Sequence, residues 1–153
     1  FIVRMDYPQR EEEIMIARQT TMGATAKLKK IINGTKMKQY QELVERIPVP
    51  EHVFELAVDL VRRTRPGTKD APKWLKQSVQ WGAGPRAIQF LIRGAKAHAL
   101  ISGNFITTTD DLEAVAEPVL YHRIITNFHA RSEGITSSEV IRRLLEEARQ
   151  EER

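Results

Sequence analysis

At 153 residues the chain can enclose one ordinary core, and its 41% apolar and 29% charged residues mark a globular rather than a disordered protein. The absence of cysteine excludes disulfides and thiolate metal sites, no apolar run approaches the roughly 20 residues that span a bilayer, and no secretory-signal pattern opens the chain. The net charge of +4, with both signs interspersed, describes solvated surface rather than a dedicated nucleic-acid binder, and the expected setting is cytoplasmic without membrane insertion.

Phe1, Val3 and Met5 alternate with Ile2, Arg4 and Asp6 ahead of Tyr7-Pro8, which predicts a short strand over 1–7 that the proline stops. A lone strand in an otherwise helical chain needs partners for its backbone groups. The expectation is that its sheet belongs to a longer protein, of which a chain starting at Phe1 without methionine is a piece, or that a second copy supplies the pairing strand.

A helix follows from Pro8 to about Gln19, with Glu11, Glu12 and Glu13 early and Arg18 late, as the helix dipole favours. Residues 19–34 are poorly patterned and end in the turn signal Asn33-Gly34. A short helix is expected over 36–46, ending before Pro48. Pro50 opens a stronger one, with Val53, Phe54, Ala57, Leu60 and Val61 on one face and Pro66-Gly67 as its stop. Asp70 and Pro72 head another helix, whose bulky residues are Trp74, Leu75, Val79 and Trp81; the two tryptophans fall on roughly one helical face, as core packing.

Gly82-Ala83-Gly84 breaks that helix and Pro85 starts the next, with the stripe Ile88, Leu91, Ile92, Ala95 and Ala99 and the stop Gly103-Asn104. Thr108 and Asp111 have capping-box spacing at the head of a helix carrying Leu112, Val115, Ala116, Val119 and Leu120, which Pro118 should kink. Thr136 and Glu139 cap a terminal amphipathic helix whose Glu/Arg-rich end should fray. The fold class is mainly α: a helical bundle with one N-terminal β-strand.

The segment with most chemical content is Trp81-Gly82-Ala83-Gly84-Pro85-Arg86-Ala87. Pro85 fits the first helical position, so Arg86 stands in a first turn, where the helix dipole disfavours a cation. A guanidinium beside free backbone N–H groups makes a site that attracts phosphate, and glycines let the backbone approach a ligand closely. The alternative reading is structural: Arg86 pairs with a nearby carboxylate and the glycines form a tight turn between helices.

His52, His98, His122 and His129 have no zinc-site spacing, so no metal site is expected. The chain holds no phosphate loop, no acidic metal-binding strand and no nucleophile elbow, and by itself should not be an enzyme.

Several motifs in collinear order resemble the MoxR family of AAA+ ATPases. They are Phe1…Tyr7-Pro8, the helix with Arg10-Glu11-Glu12-Glu13, Ile47-Pro48-Val49-Pro50, and Val58-Asp59-Leu60-Val61-Arg62-x-Thr64-Arg65-Pro66. Trp81 to Ala87, Ala95-Lys96-Ala97-x-Ala99-Leu100, Pro118-Val119-Leu120-x-His122-Arg123, Asn127-Phe128 and Glu133-Gly134 continue the series. The departures are residues 19–38, where no motif aligns, and Thr107-Thr108-Thr109, where a Thr-Pro cap is expected.

The resemblance implies that 1–20 are the C-terminal end of an AAA+ core (last strand and linking helix), 21–39 an irregular linker, and 40–153 the helical lid. It implies that Arg86 is the sensor 2 arginine, acting on transition-state charge, with Gly84, Pro85, Arg86 and Ala87 as the nucleotide-facing positions. The implied cofactor is ATP with Mg2+ in the full-length parent, none being held tightly by this chain alone. The implied partners are the AAA+ core of the same protein, neighbouring subunits of a homo-oligomeric, hexameric ring, and a client protein complex undergoing chaperone-like remodelling or maturation. The competing reading is a helical nucleic-acid-binding or protein-interaction module, using Lys27, Lys29, Lys30, Lys36 and Lys38 as a phosphate-contacting stripe.

Overall fold

The structure, a computed structural model, describes residues 1–23 and 28–151. Its elements are α1 (Arg10–Thr21), α2 (Gly34–Arg46), α3 (Glu51–Arg63), α4 (Leu75–Ser78), β1 (Val79–Trp81), α5 (Arg86–Ile101), α6 (Thr109–Leu120), β2 (Ile125–Thr126), α7 (Phe128–Ser132) and α8 (Ser137–Glu151). A single 3-10 turn, Tyr121–Arg123, links α6 to β2. The mainly helical class holds.

The core is built where the helical spacing places it. Val53, Ala57, Leu60 and Val61 of α3 are buried, as are Leu91, Ala95 and Ala99 of α5. Leu112, Val115, Ala116, Val119 and Leu120 of α6 and Val140, Ile141 and Leu144 of α8 close the same cluster. Phe54 is an exception, lying at the edge with 40% exposure.

Local signals set the ends. Asn33 caps α2 by accepting from Lys36 N at 2.8 Å, so this helix begins at Gly34 rather than at residue 36. Thr108 and Asp111 form the capping box of α6, and Gly103, at φ +81°, ends the turn after α5. The last helix runs to Glu151, whose carboxylate pairs with Arg63, so the expected fraying does not begin before that residue.

Two expectations are corrected. Residues 1–9 form neither helix nor strand. The strands found among the described residues, β1 and β2, pair with each other, Val79 opposite Thr126 and Trp81 opposite Ile125, and the N-terminal segment pairs with neither. It lies instead along α5 and α6: Phe1 packs against Gly94, Ile2 N donates to Pro118 O at 2.9 Å, and Arg4 stands 5.0 Å from the Tyr121 ring centroid.

The helix expected from Asp70 to Trp81 is only the one turn of α4 before the chain becomes extended. Asn127 holds it that way, donating through N to Ser78 O at 3.0 Å and through Nδ2 to Gln77 O at 2.9 Å. The tryptophans consequently separate. Trp74 is half-buried, its N–H donating to Glu147 at 2.6 Å with Arg143 over its ring, whereas Trp81 is 65% exposed.

Candidate functional site

Arg86 is the first residue of α5, with Pro85 in the capping position. Its side chain is exposed, and among the described residues no ion pair or side-chain hydrogen bond engages it. The first turn of α5 contains no acidic residue. Among the described residues the carboxylate partner of the structural alternative is not found, and the guanidinium adds to the positive end of a 16-residue helix.

The neighbouring positions differ in what they offer. Gly84 and Pro85 are exposed, but Ala87 is buried in the core. The backbone amides of Ala87 and Ile88 already donate to Gly84 O at 3.0 Å and Pro85 O at 3.1 Å. The expectation of free amides at this helix start is narrowed: those of Ala87 and Ile88 are engaged, while among the described residues no backbone partner engages Arg86 N, which stands beside its own guanidinium.

The loop before Arg86 is held by residues that the sequence reading did not single out for a role. Thr64, fully buried at the end of α3, donates through Oγ1 to Val61 O at 2.7 Å and accepts from Ala83 N at 2.9 Å. Arg65 Nε donates to Ala83 O at 2.8 Å, so both backbone groups of Ala83 are satisfied by adjacent residues of α3's end. Gly82 passes so close to this corner that a Cβ there would lie 2.5 Å from Thr64 C and 2.7 Å from Arg65 Cα. The signal was available in the sequence as Thr64-Arg65-Pro66 beside Gly82-Ala83-Gly84, but spacing could not say that the two meet.

Burial pushes the Asp111 carboxyl up, but hydrogen bonds from His98 at 2.7 Å and from Thr108 side chain and backbone outweigh it and hold the group below the usual carboxylate range. Burial and the charge of Arg123 lower His122. Among the described residues no group of three or more His, Asp or Glu could hold a metal ion, and no helix is long and apolar enough to cross a membrane. Lys29, Lys30, Lys36 and Lys38 are exposed on the coil before α2 and on its first turns; Lys27 lies outside the described residues.

Comparison with known proteins agrees with this architecture. A protein-family profile described as an AAA lid domain matches residues 73–144, the stretch holding the loop, α5 and α6. Over 95% of its length the chain is 27% identical to the uncharacterized protein YeaC of Bacillus subtilis and 30% identical to chaperone MoxR1 of Mycobacterium tuberculosis. It is also 32% identical, over 60% of its length, to protein MoxR of Methylorubrum extorquens. A crystal structure from Cytophaga hutchinsonii, described provisionally as an ATPase, superposes with a TM-score of 0.80 at 26% identity, covering 93% of this chain and 43% of that one. The chain spans less than half the length of each of these relatives: 43% of YeaC, 38% of MoxR1 and 27% of MoxR. With the helical bundle, the loop and the collinear relatives in agreement, the chain belongs to the MoxR family of AAA+ ATPases and carries that family's lid domain.

Proposed function

We propose that this chain is the sensor 2 lid of an ATP-hydrolysing machine and that Arg86 is the residue through which the lid responds to nucleotide. The observation that carries the reading is Arg86 itself: an exposed guanidinium at a helix N-terminus, without a carboxylate partner among the described residues, on a loop anchored to the core. Holding a cation there is electrostatically unfavourable in the isolated lid and becomes favourable beside phosphate.

ATP with Mg2+, bound between the lid and an AAA+ core, would supply the phosphoanhydride and the charge that builds on its γ-phosphoryl oxygens. Arg86 would pair with those oxygens most strongly in the transition state and so lower the barrier to transfer of the γ-phosphoryl group from ADP to water. Loss of that partner after hydrolysis would release the lid, and its swing would pass to a neighbouring subunit of a ring. The exposed apolar side chains of Phe1, Val3, Met5 and Tyr7 support the placement of the N-terminal segment against a core that completes it. A relative named as a chaperone supports a remodelling role on client proteins, with the ring taken as hexameric and the setting as cytoplasmic.

The test is ATP turnover by the full-length protein carrying this chain, wild type against Arg86→Ala. A fall of about tenfold or more in kcat, with the fold intact, is expected for removal of a transition-state cation. Unchanged turnover would assign Arg86 no part in hydrolysis.

A further inference from the structure

We infer that Thr64 and Arg65 are the positioning residues of the phosphate sensor: they fix Ala83, and through it the start of α5, so that the Arg86 guanidinium is presented at one height and angle. The inference rests on the reading of Arg86 given above and extends it to two residues that touch no nucleotide.

The geometry distinguishes this corner from an ordinary interhelical turn. A turn needs only that its backbone groups find partners or water. Here one residue, Ala83, is gripped from both sides, its N–H by the Thr64 hydroxyl at 2.9 Å and its C=O by the Arg65 guanidinium at 2.8 Å. The gripping hydroxyl is anchored in turn on Val61 O at 2.7 Å, inside the core-facing last turn of α3. Gly82 leaves no space between the loop and the Thr64–Arg65 backbone, so the loop cannot settle closer or slide without meeting main-chain atoms.

On the other side of Ala83 the chain is open: Gly84, Pro85 and Arg86 are all exposed. Gly84 and Pro85 are bonded only from the first turn of α5 itself, so Ala83, three residues before Arg86, is the last point ahead of the sensor that α3's end grips. Because α3, α5 and α6 share one buried cluster, a pull on Arg86 is transmitted through Ala83 to α3 as well as along α5, and the lid responds as one body.

The experiment is a set of mutant cycles on ATP turnover by the full-length protein. Thr64→Val keeps the shape but removes the hydroxyl, Thr64→Ser keeps the hydroxyl, and Arg65→Met keeps the stem but removes the donor. Misplacement of a catalytic cation by about 1 Å lowers kcat by up to about a hundredfold. Thr64→Val and Arg65→Met are each expected to lose several-fold to tenfold in kcat with little change in KM, and Thr64→Ser to stay near wild type. Each loss should vanish in the Arg86→Ala background, since a residue acting through Arg86 has nothing left to position.

Losses that multiply with that of Arg86→Ala would overturn the positioning role while leaving Arg86 as the sensor. So would full activity of both single variants beside an impaired Arg86→Ala. If Arg86→Ala is itself at wild type, the sensor reading falls and the positioning role falls with it. Should Thr64→Val fail to fold, Arg65→Met decides, because its guanidinium is only part-buried.

Discussion

Replacing Gly82 with alanine tests the close contact between the loop and the end of α3. The backbone at Gly82 does not lie at positive φ, so the demand for glycine here is one of space alone. The new methyl would sit 2.5 Å from Thr64 C and 2.7 Å from Arg65 Cα, where carbon atoms need roughly 3.5 Å. The obstructing atoms are main chain, so no rotamer change relieves the overlap and the loop must retreat by about 1 Å. That shift would stretch both hydrogen bonds to Ala83, which now measure 2.9 and 2.8 Å.

Overpacking costs about 1–3 kcal/mol and each lost hydrogen bond about 1 kcal/mol, giving roughly 3–5 kcal/mol in all. For a domain of this size that lowers the melting temperature by roughly 6–20 °C. Thermal unfolding of this chain, followed by circular dichroism, measures it directly. Gly84→Ala is the control, since an added methyl there meets nothing within 4 Å, and it should melt with wild type. A Gly82→Ala protein melting within about 2 °C of wild type, below the shift expected for 1 kcal/mol, would refute the space argument. Equal damage from Gly84→Ala would show that the loop is sensitive for some other reason.

In contrast to its effect on turnover, Arg86→Ala should leave the stability of this chain within about 0.5 kcal/mol of wild type, because the side chain is exposed and has no partner among the described residues. A larger loss in urea unfolding would mean that Arg86 is structural. Asp111 should make this chain acid-sensitive: a carboxyl whose folded pKa is depressed contributes stability that is full above its unfolded value of about 3.9 and is lost as pH falls through the folded value. Asp111→Asn should therefore cost about 1–3 kcal/mol at neutral pH and progressively less below about pH 4; a deficit that does not shrink in acid would contradict the hydrogen-bonded carboxylate.

The sequence by itself determined the long helices and much of the chemistry of the site. Spacing alone placed Val53, Ala57, Leu60, Leu91, Ala95, Leu112 and Leu144 in the core, because a helix of regular pitch turns sequence period into a buried face. Thr108 and Thr136 are legible as caps since a short polar side chain meets its own backbone within three residues, whereas Asn33 reads as a turn and proves to be a cap. The misplaced cation at Arg86 could be seen for the same local reason, its position in the first turn. Only the tertiary structure decided that Val79–Trp81 is extended, since that depends on Asn127 and β2 arriving from far along the chain. Only the tertiary structure, too, decided that residues 1–7, for all their alternation, form no strand here, because a strand is a property of a pair and among the described residues none pairs with them. The grip of Thr64 and Arg65 on Ala83 belongs to the same class: 18 and 19 residues separate the partners, and no local rule reports a hydrogen bond made by folding one helix end onto the start of another.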